Sequence, residues 1–146
     1  MKKFYKLSLF FSLIAVMSLT FSSCATLQDV LKDKENGSHK VYPVNFNTAW
    51  KTAMTVLRWE GSETIEQHRS EGYMLTTVGQ NLISAGSVVG VWIDKVDSKH
   101  SKVTVVTKRK MATNLATGLT ETTFLESFGK AVNILKQGKK LPFEKP

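Results

Sequence analysis

The chain is poor in the residues from which metal and redox sites are built. It holds one cysteine, Cys24, and three histidines among its 146 residues. A single thiol closes no internal disulfide, so any domain here must stand on its apolar core. The same scarcity excludes a cysteine-based zinc site, and His39, His68 and His100 are too widely spaced to form a local ligand pair. No cofactor is expected. Glycine is present in the wrong setting for a phosphate loop, because Gly79 and the stretch from Gly86 to Gly90 lead into a strand and do not open a helix. Ser84 and Ser87 have no base near them in sequence. Glu60, Glu63, Glu66 and Glu71 could in principle divide acid and base work. They are interleaved with Arg58, His68 and Arg69, which is the pattern of a solvated, salt-bridged face. No enzyme is expected from these residues.

Long apolar runs are also missing, except at the start. Lys2, Lys3 and Lys6 precede an uncharged stretch from Leu7 to Phe21, and Phe21-Ser22-Ser23-Cys24 follows. A positive n-region, an apolar h-region and small residues at a cut make a secretory signal. With the only cysteine placed at the cut, the segment resembles a bacterial lipobox. In that pattern residues 1–23 are removed and Cys24 carries a diacylglycerol, with Phe21 standing where Leu is usual. An ordinary signal would leave a free thiol near the new N-terminus, which is unusual in an oxidising compartment. A spanning helix needs about 20 apolar residues, and this run is shorter and rich in Ser and Thr. The lipobox resemblance implies a membrane partner reached through acyl chains on Cys24. Each buried methylene adds about 0.8 kcal/mol, so two chains hold where one binds marginally. Ala25, where a retention signal would have Asp, implies release to the outer membrane, facing the periplasm.

Removing residues 1–23 leaves 123 of the 146 residues, room for one domain. Without Lys2, Lys3 and Lys6, 17 of the 20 basic side chains face 12 acidic ones, a net charge of +5. Nucleic acid is not an expected partner: the chain carries an export signal, and no aromatic residues interleave with its basic ones.

Residues 24–39 read as the lipidated cysteine and a polar tether, with Leu27, Val30 and Leu31 able to form one helical turn. A flexible tether of that length spans roughly 20 Å; the alternative is an arm packed on the domain. Residues 40–146 read as the domain. Val41 to Phe46 alternates as a strand, at an edge or with Pro43 pointing outward. Asn47 or Thr48 offers a cap for a helix over 48–60, which carries Trp50, Ala53, Met54 and Leu57 on one face and closes at Gly61. Strands follow at Thr64–Gln67, Tyr73–Val78, Val88–Val96 and Lys102–Lys108, their alternation predicting a sheet with one wet face. A second helix over Thr120–Lys136, capped by Thr120 or Thr123, buries Phe124, Phe128, Ala131, Val132 and Leu135.

The order β-α-β-β-β-β-α predicts an α+β fold, an antiparallel sheet of four to five strands with two helices on one face. Val41 to Phe46, Asn47-Thr48-Ala49-Trp50, Gly61, and Ser70-Glu71-Gly72 before a strand together resemble a family of small bacterial lipoproteins known only as domains of unknown function. Their shape is similar to the helix-grip domains of BamC, a lipoprotein of the outer-membrane barrel-assembly machinery. The resemblance covers roughly residues 40–138 and implies a non-catalytic binding or assembly role with an envelope protein partner. BamC carries two such domains, and this chain has room for one.

Two further readings concern binding. Lys108, Arg109 and Lys110 form one basic cluster, and Lys136, Lys139 and Lys140 another. On a lipid-tethered domain they could touch anionic headgroups; the alternative is a solubilising surface with favourable helix-end charge. The segments Asn81–Ser87 and Met111–Leu119 could form the mouth of a small-ligand or lipid pocket between the sheet and the C-terminal helix, lined by Trp50, Trp92 or Phe124. The alternative is a core filled by those rings.

Overall fold

Apolar periodicity explains most of the architecture. The computed structural model describes residues 25–80, 85–110 and 119–146. The segment read as a signal, Cys24 and most of the two small-residue segments lie outside the described residues. The elements are α1 (Leu27–Lys32), a 3-10 turn (Lys34–Asn36), β1 (Ser38–Tyr42), α2 (Phe46–Trp59), β2 (Ile65–His68), β3 (Tyr73–Gln80), β4 (Ala85–Lys95), β5 (Ser101–Arg109) and α3 (Glu121–Lys136). The strands form one antiparallel sheet in the order β1-β5-β4-β3-β2. The fold is therefore α+β, with the expected element order and a short helix added in front.

The two long helices share one face of the sheet. Ala49, Trp50, Ala53, Val56 and Leu57 recur at helical spacing on α2, and Phe124, Phe128, Ala131 and Val132 do so on α3. They meet Met74, Val78, Val89, Val91, Ile93, Val103 and Val105 from alternate positions of β3, β4 and β5. Trp50, Phe124 and Phe128 are fully buried there. Gly61 follows α2 at φ 89°, a left-handed conformation that suits a residue without Cβ.

Two boundaries move for identifiable reasons. The first strand lies earlier than its alternation suggests, at Ser38–Tyr42, and pairs with β5 at the sheet edge. Helix α2 begins at Phe46, because Asn45 Oδ1 accepts the Thr48 N–H at 2.9 Å and caps it ahead of Asn47. At α3 the cap is Thr120, whose hydroxyl accepts the Thr123 N–H at 3.1 Å.

The larger correction concerns the second face and the tether. Helix α1 forms inside the segment read as a tether, closed by a capping box between Thr26 and Asp29. It lies across the face opposite the long helices, where fully buried Val30 meets Leu75, Val88, Trp92 and Val106. Gly90 makes room for it. A Cβ there would stand 2.5 Å from Val30 Cγ1 and 2.7 Å from the Trp92 ring. Asp33–Lys108 at 3.0 Å and Lys34–Asp94 at 3.5 Å fasten the segment that follows. Thr104, which alternates outward from Val103 and Val105, is buried, so the face expected to be wet is only partly so.

Tyr42 ties β1 to α3. Its ring lies 4.6 Å from that of Phe128, and its hydroxyl donates to the Leu125 carbonyl at 2.6 Å. Burial pushes this hydroxyl up to about 12. The folded state thus favours the neutral phenol. That contribution is complete below pH about 10, the unfolded value, and is lost as pH rises toward 12. Tyr42→Phe is expected to lose about 1 kcal/mol at neutral pH. The gap from wild type should close between pH 10 and 12, read by urea unfolding at several pH values; a gap that stays constant would refute the assignment.

Candidate functional site

Helix α3 runs antiparallel to β5, and this separates the two basic clusters. At the start of α3 the Glu121 carboxylate accepts the Thr107 N–H at 3.2 Å and the Ser38 N–H at 3.0 Å. At its end, Leu135 and Lys136 share a cleft with Val44, Ser98 and Lys99, beside the beginning of β5. Lys108, Arg109 and Lys110 therefore stand at one end of the sheet, and Lys136, Lys139 and Lys140 at the other. Lys108 is held by Asp33. Arg109 lines a cleft with Ser38, Thr107 and Glu121. Lys110 is half-buried, and its N–H donates to the Gly86 carbonyl at 3.1 Å. Lys136, Lys139 and Lys140 are exposed.

The acidic residues between α2 and β3 do not form one cluster: Glu63 and Glu66 line one cleft, Glu66 and Glu71 meet at His68, and Glu60 turns elsewhere. Glu60 accepts from Ser127 Oγ at 2.9 Å and from Lys145 at 2.6 Å. Glu66 and Glu71 contact opposite nitrogens of His68, which stacks on Tyr73 at 4.4 Å. Arg69 does not join them. Its guanidinium lies 5.5 Å from the Phe46 ring centre and 5.3 Å from that of Trp50, while Nη2 donates to Asn47 Oδ1 at 2.6 Å. Among the described residues no three His, Cys, Asp or Glu side chains are grouped so that they could hold a metal ion.

The space between sheet and α3 is occupied by Phe124, Phe128, Ala131 and Val132. Trp92 stands on the opposite face, under α1, and does not share a wall with Trp50 and Phe124. Clefts occur instead on the surface. One of about 350 Å³ lies between α1 and the β2–β3 pair, lined by Leu27, Glu63, Glu66 and Thr77 among others. Another of about 370 Å³ lies between the β1–α2 turn, the β4–β5 turn and the end of α3. It adjoins a third of about 390 Å³ that shares Asn45 and Ser98 and adds Lys95 and Asp97.

Asp97 organises the β4–β5 turn. It accepts the N–H groups of Lys99 at 2.7 Å and His100 at 2.8 Å, and it meets His100 Nδ1 at 2.8 Å through its other oxygen. The backbone bond from Lys99 and the side-chain bond from His100 hold its carboxyl below the usual carboxylate range. The grouping of Lys95, Lys99 and Lys136 was not legible from sequence, where Lys95 falls in the strand Val88–Val96 and Lys99 in the polar turn that follows. The turn signal Asp97-Ser98-Lys99-His100 was the available clue. No protein-family model matches the chain, and no curated protein matches it.

Proposed function

We propose that this protein is a lipid-anchored domain of the bacterial cell envelope that acts by binding a protein partner, without catalysis. The observation that carries the reading is Cys24, the only cysteine, placed directly behind a charged, then apolar, then small-residue segment. The geometry adds a consequence. Thr26 caps α1, so only Ala25 separates the lipidated residue from a helix packed on the sheet. The anchor is then a short leash fixed near the α1 end of the domain, and it replaces the tether of roughly 20 Å expected for a flexible segment of that length. The filled sheet–helix interface favours a surface that binds over an enclosed ligand pocket. Placement at the outer membrane, facing the periplasm, belongs to the same proposal, as does the likeness to helix-grip lipoproteins.

The test is crosslinking in intact cells, with mass spectrometry of what co-purifies and intact-mass measurement of the protein itself. A form beginning at acylated Cys24, with a discrete partner lost in Cys24→Ala, is the expected result. A mature form without acyl mass would overturn the anchor. Reproducible absence of any partner would overturn the binding role and turn attention to small ligands or lipids.

A further inference from the structure

We propose that the end of the domain built from the β1–α2 turn, the β4–β5 turn and the C-terminus of α3 is the docking surface, and that its occupant is an acidic segment of an envelope protein. This deepens the binding role proposed above and rests on it.

The charge pattern favours such an occupant. Lys99 and Lys136 line one cleft, and Lys95 lines the cleft beside it. Lys139 and Lys140 follow directly on α3, with the Lys139 N–H bonded to the Ile134 carbonyl. None of these five lysines has an ion-pair partner among the described residues. Lys34 and Lys102 are matched by Asp94, Lys108 by Asp33 and Lys145 by Glu60. Asp97, the carboxylate among the residues that line these two clefts, is engaged by His100 and by the turn's own N–H groups. A cluster of unmatched cations repels itself, and an incoming row of carboxylates relieves that repulsion.

The shape of the cleft also suits it. Val44 and Leu135, both half-buried, give the Lys99–Lys136 cleft an apolar floor between its charged walls. A peptide segment could lay apolar surface there while its carboxylates reach the rim.

The position of these lysines separates a protein from a lipid surface. Thr26 caps α1, and Leu27 lines a cleft with Leu75 and Thr77. Thr77 pairs with Val88, and Val88 with Lys108. The start of α1 therefore lies toward the Lys108 end of the sheet. From Lys108 to Ser101 along β5 is roughly 23 Å at about 3.3 Å per residue. Headgroup attraction decays within a Debye length, about 8 Å at physiological salt. In a domain that stands on its Lys108 end, Lys136, Lys139 and Lys140 are at the far end from the bilayer that Cys24 would enter.

The test uses full-length protein extracted in detergent and two probes, a fluorescent deca-glutamate peptide and phosphatidylglycerol vesicles. Saturable anisotropy binding of the peptide is expected, weakened at least tenfold by Lys99→Glu combined with Lys136→Glu. Lys110→Glu combined with Lys130→Glu, matched in charge and placed elsewhere, should change it less than twofold. Equal losses in both double variants would overturn the assignment, because they would report net charge alone. Vesicle binding that depends on Lys99 and Lys136 would overturn it in favour of headgroups. In cells, a partner still captured undiminished by the Lys99→Glu, Lys136→Glu protein would refute this surface while leaving the binding role intact.

Discussion

Trp50→Ala is expected to destabilise the domain by about 3–5 kcal/mol, the largest loss for any single truncation here. The indole is fully buried between α2 and the sheet, and its Nε1–H donates to Gln67 Oε1 at 3.2 Å. One ring thus supplies core volume and a polar tie to the edge strand β2. It also stacks with Phe46 at 5.7 Å and carries the Arg69 guanidinium. Truncation opens a cavity that neighbours such as Ala53 are too small to fill, strips Gln67 of its donor and leaves Arg69 without half of its platform. In a domain of this size the melting temperature should fall on the order of 10–20 °C. Trp50→Phe keeps most of the volume and loses the N–H, so it should cost much less. Met54→Ala, at a half-buried position on the same helix, should also cost less than half as much. Urea or thermal unfolding of the three variants decides it, and equal losses would mean that Trp50 is not the keystone of this face.

Legibility followed periodicity. Val89, Val91 and Ile93 against Trp92, and Val103 with Val105, alternate cleanly, so both central strands and their inward faces could be read directly. The buried stripes of both long helices were equally plain. Boundaries set by capping were harder, since Asn45, Asn47 and Thr48 all have side chains able to accept a helix N–H. Only packing decides between such neighbours. Helix α1 could be read only as one helical turn, and its packing only as the alternative to a flexible tether, because its apolar residues, Leu27, Val30 and Leu31, are few and set among Asp and Lys. Six residues hold no helix alone, and the force that fixes them comes from a sheet face more than forty residues away in sequence. The lysine-lined end escaped for a related reason. Lys95 and Lys99 meet Lys136 only because α3 folds back along β5, and no local pattern encodes that.

Gly90 offers the sharpest test of the packed leash. It sits opposite Leu75 and Val106 in the sheet, between Val88 and Trp92 on its own strand, and Val30 enters the dimple it leaves. Gly90→Ala is expected to cost about 2–3 kcal/mol, because the added methyl overlaps Val30 and the rigid Trp92 ring. Val30→Ala alone should cost about 2 kcal/mol through lost burial. If the two residues form one knob-and-hole contact, the double variant should cost clearly less than the sum, with a coupling on the order of 1 kcal/mol. Strict additivity would mean that Gly90 acts through Trp92 alone. The functional reading is sharper than the energetic one. Lifting α1 releases the segment from Ala25 to Gly37, frees the backbone at Lys32 and Lys34 for trypsin, and lengthens the proposed leash from one residue to a coil of roughly 20 Å. Faster cleavage at those lysines in Gly90→Ala, with the core still folded by circular dichroism, would establish that the sheet's second face serves to hold the anchor point in place. Cleavage no faster than in wild type would show that the contact is dispensable for that purpose. The second face would then exist only to cover Trp92 and its neighbours.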